Sequence, residues 1–199
     1  MNAPLLNRRE AITRLAVLLG GAFIGSTAYL SGAPLTGKTG RRDFTAAELA
    51  LLDEIGETII PTTNTPGAKS VQIGAFMVMM VRDCYRDADQ AIFETGLTAI
   101  NDASRAKFGH DFMAASAAER TALCNELDTA QRQQHAGKAA GEPEHYFRMM
   151  RQLTVLGYFT SETGATQALR FAEVPGRFDG NAPYQKGDRN WFSPPGRTV

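Results

Sequence analysis

The one workable spacing of metal-ligand residue types in this chain is Glu142-Pro143-Glu144-His145, which contains a Glu-x-x-His pair. Carboxylate-bridged di-metal sites use two such pairs plus two further glutamates, all aimed into a helical bundle. Here there is one pair, beside a proline at a helix start. The plainer reading is an acidic first helical turn with a surface histidine. His110 falls in a turn and His135 on a polar helical face, where solvation accounts for both. No Gly-x-Ser-x-Gly elbow presents a nucleophile. Asp87-Ala88-Asp89 is too short, and has no glycine, for a calcium loop. No Gly-x-Gly-x-x-Gly follows a strand, and no Cys-x-x-Cys-His offers covalent haem attachment.

Cys84 and Cys124 complete the reactive inventory. They fall in different expected helices, and in an exported protein they could pair. Two separate, buried, apolar thiols fit the sequence equally well.

The elements that carry these residues read as helical almost throughout. Thr45-Ala46-Ala47-Glu48 is a capping box, followed by Leu49, Leu52, Ile55 and Ile59 at helical spacing until Pro61. A second helix is expected over 71–85, with Ile73, Phe76, Met77, Met80, Val81 and Cys84 on one side. A third fits 88–107 and stops at Gly109. Ser116-Ala117-Ala118-Glu119 is a second capping box, opening a helix with Leu123, Cys124 and Leu127. The polar run 131–135 at its end should fray or face solvent. Pro143 suits the first turn of a last helix displaying Tyr146, Met149, Met150, Leu153 and Leu156. No alternation is long enough for a strand. The expectation is an all-α single domain of about five helices over 44–170.

Residues 171–199 differ. They hold Pro175, Pro183, Pro194 and Pro195, yet also Phe171, Phe178, Tyr184, Trp191 and Phe192. Disordered tails are poor in aromatic residues, so an extended segment lying across its own surface or a partner's is expected.

Equal numbers of basic and acidic residues, 21 of each, argue against a nucleic-acid binder. Residues 1–33 have the layout of an export signal: Arg8, Arg9 and Arg14, an apolar stretch Leu15–Leu30, then small residues. The adjacent Arg8 and Arg9 resemble a twin-arginine signal, the address of carriers that move folded proteins. Asn7 and Ala11 depart from its usual flanks. Residues 34–43 read as a linker.

Several segments together resemble the small-subunit family of membrane-bound gluconate 2-dehydrogenase, called subunit 3. They are Glu57-Thr58-Ile59-Ile60-Pro61, Thr65-Pro66-Gly67-Ala68, Gly96-Leu97, the Phe112–Leu127 segment, Gly157-Tyr158-Phe159-Thr160-Ser161-Glu162-Thr163-Gly164, Val174-Pro175-Gly176-Arg177-Phe178-Asp179-Gly180 and Pro183. The resemblance implies a large FAD-dependent partner of the glucose-methanol-choline type and a multihaem cytochrome c subunit. FAD and haem c would belong to those partners, with no catalytic, cofactor or metal residue in this chain. It further implies an accessory subunit supporting maturation, stability and co-export of a sugar or sugar-acid dehydrogenase. Such a complex would be periplasmic and attached to the membrane through its partners. Tyr158, Phe159, Thr160, Ser161, Pro175, Gly176, Phe178, Tyr184 and Trp191 are the expected partner contacts. Two other readings stand beside this one. One is an exported helical enzyme using a metal at Glu142 and His145; the other is a structural protein anchored by a retained Leu15–Leu30.

Overall fold

The computed structural model describes residues 43–139, 141–172, 181 and 183–192. Its α-helices are α1 (Ala46–Ile59), α2 (Ile73–Cys84), α3 (Asp87–Phe108), α4 (Ala117–Ala136) and α5 (Tyr146–Thr160). Short 3-10 turns fill Ala68–Val71 and Phe112–Ala114, and a π-helical turn spans Gly164–Ala168. The all-α expectation holds.

Local chemistry sets the helix ends. Both capping boxes form: Thr45 accepts from the Glu48 amide and Ser116 from the Glu119 amide, while each glutamate returns to its cap's backbone. That reciprocity satisfies two otherwise orphaned donors at each start. Gly109 ends α3 in the left-handed conformation, at φ 83°. The start of α2 is unusual. Gln72 is left-handed at φ 53°, and the Gly74 amide is met by Asp53 Oδ1 of α1 at 2.8 Å. A carboxylate from a neighbouring helix thus sits where α2 carries its positive dipole end.

The core is one apolar cluster. It takes Leu51, Leu52 and Ile55 from α1, Ile73, Met77 and Val81 from α2, and Phe93, Leu97 and Ile100 from α3. Leu123 comes from α4, and Phe147, Met150, Leu153 and Tyr158 from α5. The last helix packs on each of the other four. Two glycines permit close approach between helices. A Cβ on Gly56 would lie 2.4 Å from Ile73 Cγ2, and one on Gly157 would lie 2.4 Å from the Phe76 ring.

Four expectations need correction. Pro143 precedes α5 rather than opening it; His145 caps the helix instead, its Nδ1 accepting from the Phe147 amide at 3.1 Å. At the end of α4, Arg132, Gln133, Gln134 and His135 face solvent as expected, and only Gln131 departs from that reading. Gln131 there is buried, donating to Asp128 and accepting from Arg148, because α5 lies over it. Leu156 and Cys84 belong to no buried stripe: both are exposed, because the arcs of α5 and α2 that face the core are set by other residues. Finally, a minimal sheet exists. β1 (Arg170–Phe171) and β2 (Trp191–Phe192) pair in parallel, with Arg170 opposite Trp191. Two residues are too few to produce a period-two pattern, and the partner arrives from the far end of the tail.

Among the described residues, no helix is long and apolar enough to cross a membrane.

Candidate functional site

One corner of the molecule gathers three of the sequence segments singled out above, Glu57–Pro61, Thr65–Ala68 and Gly157–Gly164. Its centre is Glu57, in the last turn of α1. Oε1 accepts from the amide and hydroxyl of Thr62 at 2.8 and 2.7 Å, and Oε2 accepts from the Lys69 amide at 2.9 Å. Partial burial pushes the Glu57 pKa up, but these donors and the Lys69 charge outweigh it and leave the pKa below the ordinary carboxylate range. The Thr62 hydroxyl in turn accepts from the Gly67 amide at 3.1 Å. A Cβ on Gly67 would lie 2.3 Å from Glu57 Oε2, so the carboxylate occupies the space a side chain would need. The loop between α1 and α2 is therefore wrapped around one charge.

The C-terminal end of α5 closes the same corner. Tyr158 is 1% exposed, and its phenol donates to the Pro66 carbonyl. Ser161 Oγ donates to the Tyr158 carbonyl at 2.6 Å and accepts from the Gly164 amide at 3.1 Å. Gly164 lies so close that an added Cβ would be 1.9 Å from the Tyr158 carbonyl oxygen. The run from Gly157 to Gly164 is thus a packing element.

This placement decides part of the expected interface. The Tyr158 side chain is committed to its own core and offers no surface, which corrects its assignment as a partner contact; the Pro66 bond and the burial of the ring are the reason. Phe159 is half-buried, its ring edge-on to Tyr158 with centroids 5.1 Å apart. Thr160 is exposed, with its hydroxyl donating back to Leu156, and Ser161 staples the turn just described. Tyr184 and Trp191 are 70% and 65% exposed. Pro175, Gly176 and Phe178 lie outside the described residues, as do Arg8, Arg9 and the Leu15–Leu30 segment.

Sequence reasoning missed other exposed apolar side chains: Met79 on α2, Met113 within the second 3-10 turn, and Val155 with Leu156 on α5. The signal was present but ambiguous. Met79 and Val155 continue apolar runs that also supply core residues such as Met77, Val81, Leu153 and Tyr158, and pattern alone does not say which residues face out.

The reactive inventory is placed as follows. Cys84 and Cys124 are both free, the first exposed and the second buried, so they form no bond with each other. Burial pushes the Cys124 thiol up to about 12. Glu142 accepts from the Ala139 amide at 3.2 Å, closing a turn, while His145 serves as the cap of α5. Burial moves the His145 pKa down. A cleft of about 640 Å³ lies between these residues and the start of α3, lined by Tyr85, Asp89, Ile92, Glu144 and Met149 among others. Four of its five lining charges pair with each other: Glu144 meets Lys138, and Asp89 meets Arg86 at 2.9 Å. Among the described residues, no group of three His, Cys, Asp or Glu side chains is placed to hold a metal ion.

A family model described as gluconate 2-dehydrogenase subunit 3 matches residues 46–176, more than half of the chain. No curated protein and no solved structure matches the chain.

Proposed function

The chain belongs to the gluconate 2-dehydrogenase subunit 3 family, and on that premise we propose that it is the non-catalytic small subunit of a flavin-dependent sugar or sugar-acid dehydrogenase complex. Its partner is a large FAD-dependent subunit of the glucose-methanol-choline type, accompanied by a multihaem cytochrome c. FAD and haem c sit in those partners. The small subunit stabilises the catalytic subunit during maturation and travels with it to the periplasm through a twin-arginine-type address. Flavin is inserted in the cytoplasm, so the partner crosses folded, and an address that serves folded proteins suits that need.

One observation supports this reading above the rest. Three of the segments that carry the family likeness, with Glu57, Gly67, Gly157, Tyr158 and Gly164 among their residues, build a corner of the fold instead of a pocket for chemistry. Large apolar side chains meanwhile remain on the surface at Met79, Val155, Leu156, Tyr184 and Trp191. Aromatic anchors of that kind contribute much of the affinity in protein interfaces.

The direct test is a tagged pulldown of the full chain from periplasmic and membrane fractions of its native host. The expected eluate contains a large polypeptide, flavin absorbance, haem and sugar-dependent dye reduction. A colourless chain recovered alone from both fractions would overturn the proposal. Deleting the chain is expected to remove most flavin-loaded catalytic subunit from the periplasm; unchanged amounts would remove the maturation role.

A further inference from the structure

Residues 183–192 lie across the π-helical turn and end as β2 on β1. The contacts holding them differ in kind from those of the core. Arg189 donates from one guanidinium nitrogen to the Gln167 carbonyl at 2.6 Å and, more distantly, to that of Thr166 at 3.5 Å. On the other side, the Arg170 amide donates to the Asn190 carbonyl at 2.8 Å, and the Arg170 guanidinium pairs with Asp188 at 3.0 Å. The same guanidinium sits 5.5 Å from the centre of the Trp191 ring. The segment folds back through a turn in which the Gln185 amide donates to Asp188 Oδ2 at 3.0 Å and Gly187 takes φ 99°.

None of the residues 183–191 whose side chains are described belongs to the apolar core. Only Asp188 is half-buried; the other described side chains of 183–191 are exposed. The Arg170–Asp188 pair still meets solvent, a two-residue ladder adds little, and segments with few buried apolar contacts open locally at small free-energy cost. The π-helical turn beneath is tied differently, through Gly164 packed on the end of α5.

We propose that residues 183–192 are a strap that opens from β1 and the π-helical turn while the helical body stays folded, with Arg189 and the Arg170–Asp188 pair as its fasteners. Opening frees the edge of β1 and uncovers the Thr166 and Gln167 carbonyls. Tyr184 and Trp191 both ride on the strap, so its closure sets where those two aromatics stand. That last consequence rests on the interface reading above. The strap itself does not, and its test requires no partner.

Trp191 is the single tryptophan of the chain, so its fluorescence reports the strap. Urea titration of the full chain is followed by tryptophan fluorescence and by helical circular dichroism. The expected result is a fluorescence transition at lower urea than the loss of helix. Arg189→Ala and Asp188→Asn are each expected to move that first transition to lower urea, opening the strap about tenfold more often, and to leave the helix transition in place. Arg189→Lys, which keeps the charge, is expected to fall between. Hydrogen exchange at the Arg170 amide, which bonds across to the strap, is expected to outpace that of α5 amides. Coincident transitions by both probes would overturn the proposal, as would an early transition that neither variant moves.

Discussion

The phenol of Tyr158 donates its proton to the carbonyl of Pro66, tying residues 92 apart in sequence across the junction of α5 with the α1–α2 loop. The bond explains why a tyrosine rather than a phenylalanine stands in that buried position. A phenol inside a core needs an acceptor, and the loop offers a carbonyl that no helix ladder uses.

Tyr158→Phe keeps the ring and removes the bond, so it is expected to cost about 1 kcal/mol. Tyr158→Ala should cost about 3–5 kcal/mol through the cavity it leaves. Chemical denaturation measures both. If Tyr158→Phe left the denaturation midpoint unmoved yet weakened partner retention, the core assignment of this residue would be wrong.

Glu57→Gln tests the charge at the centre of the corner. Glutamine accepts from Thr62 but offers a donor where the Lys69 amide needs an acceptor. A loss of about 1–2 kcal/mol at neutral pH is expected. The pH dependence has a definite sign. Because the folded pKa of Glu57 lies below its unfolded value, its contribution is present above the unfolded value and is lost as pH falls through the folded one. The gap between wild type and Glu57→Gln should therefore narrow as pH is lowered. A constant gap would show that the ionised carboxylate is not what organises the loop.

The two glycines of the α5 end should rank by what they touch. At Gly157 an added methyl meets the Phe76 ring and the tip of Ile73, and overpacking of that kind costs about 1–3 kcal/mol. At Gly164 it meets backbone, the Tyr158 carbonyl, which has no rotamer to yield. Gly164→Ala is thus expected to be the more damaging in thermal unfolding, and the reverse order would contradict the packing described.

Cysteine labelling separates the two thiols. Cys84 is exposed, whereas Cys124 is buried with its pKa pushed up to about 12, so little reactive thiolate forms there. A native-state alkylating reagent is expected to modify Cys84 alone, with Cys124 reacting only after unfolding. No labelling at either position without a reductant, and labelling at both with one, would reveal a disulfide.

Trp191→Ala and Leu156→Ala probe the surface. Both side chains are exposed, Trp191 more than Leu156, so stability should change by no more than about 0.5 kcal/mol for Trp191→Ala and about 1 kcal/mol for Leu156→Ala. Retention of the large subunit in a pulldown should fall for the residues that anchor it. Undiminished retention by the double variant would remove this surface from the interface.

The sequence by itself determined the helical class, the two capping boxes and the stop at Gly109. Each depends on residues within a turn or two of one another, where spacing and backbone preference act without outside help. It also carried the family, because segments such as Glu57–Pro61 and Gly157–Gly164 keep their order along the chain. Only the tertiary structure decided what those segments do. Glu57 reads as one more helical glutamate until the loop returns to it, and Tyr158 reads as a contact for a partner until Pro66 meets it. Likewise Leu156 continues an apolar pattern yet faces outward, and Gln131 sits in a polar run yet is buried. Burial and hydrogen-bond partnership are settled by which elements pack together, and that information lies between distant segments rather than within any one of them.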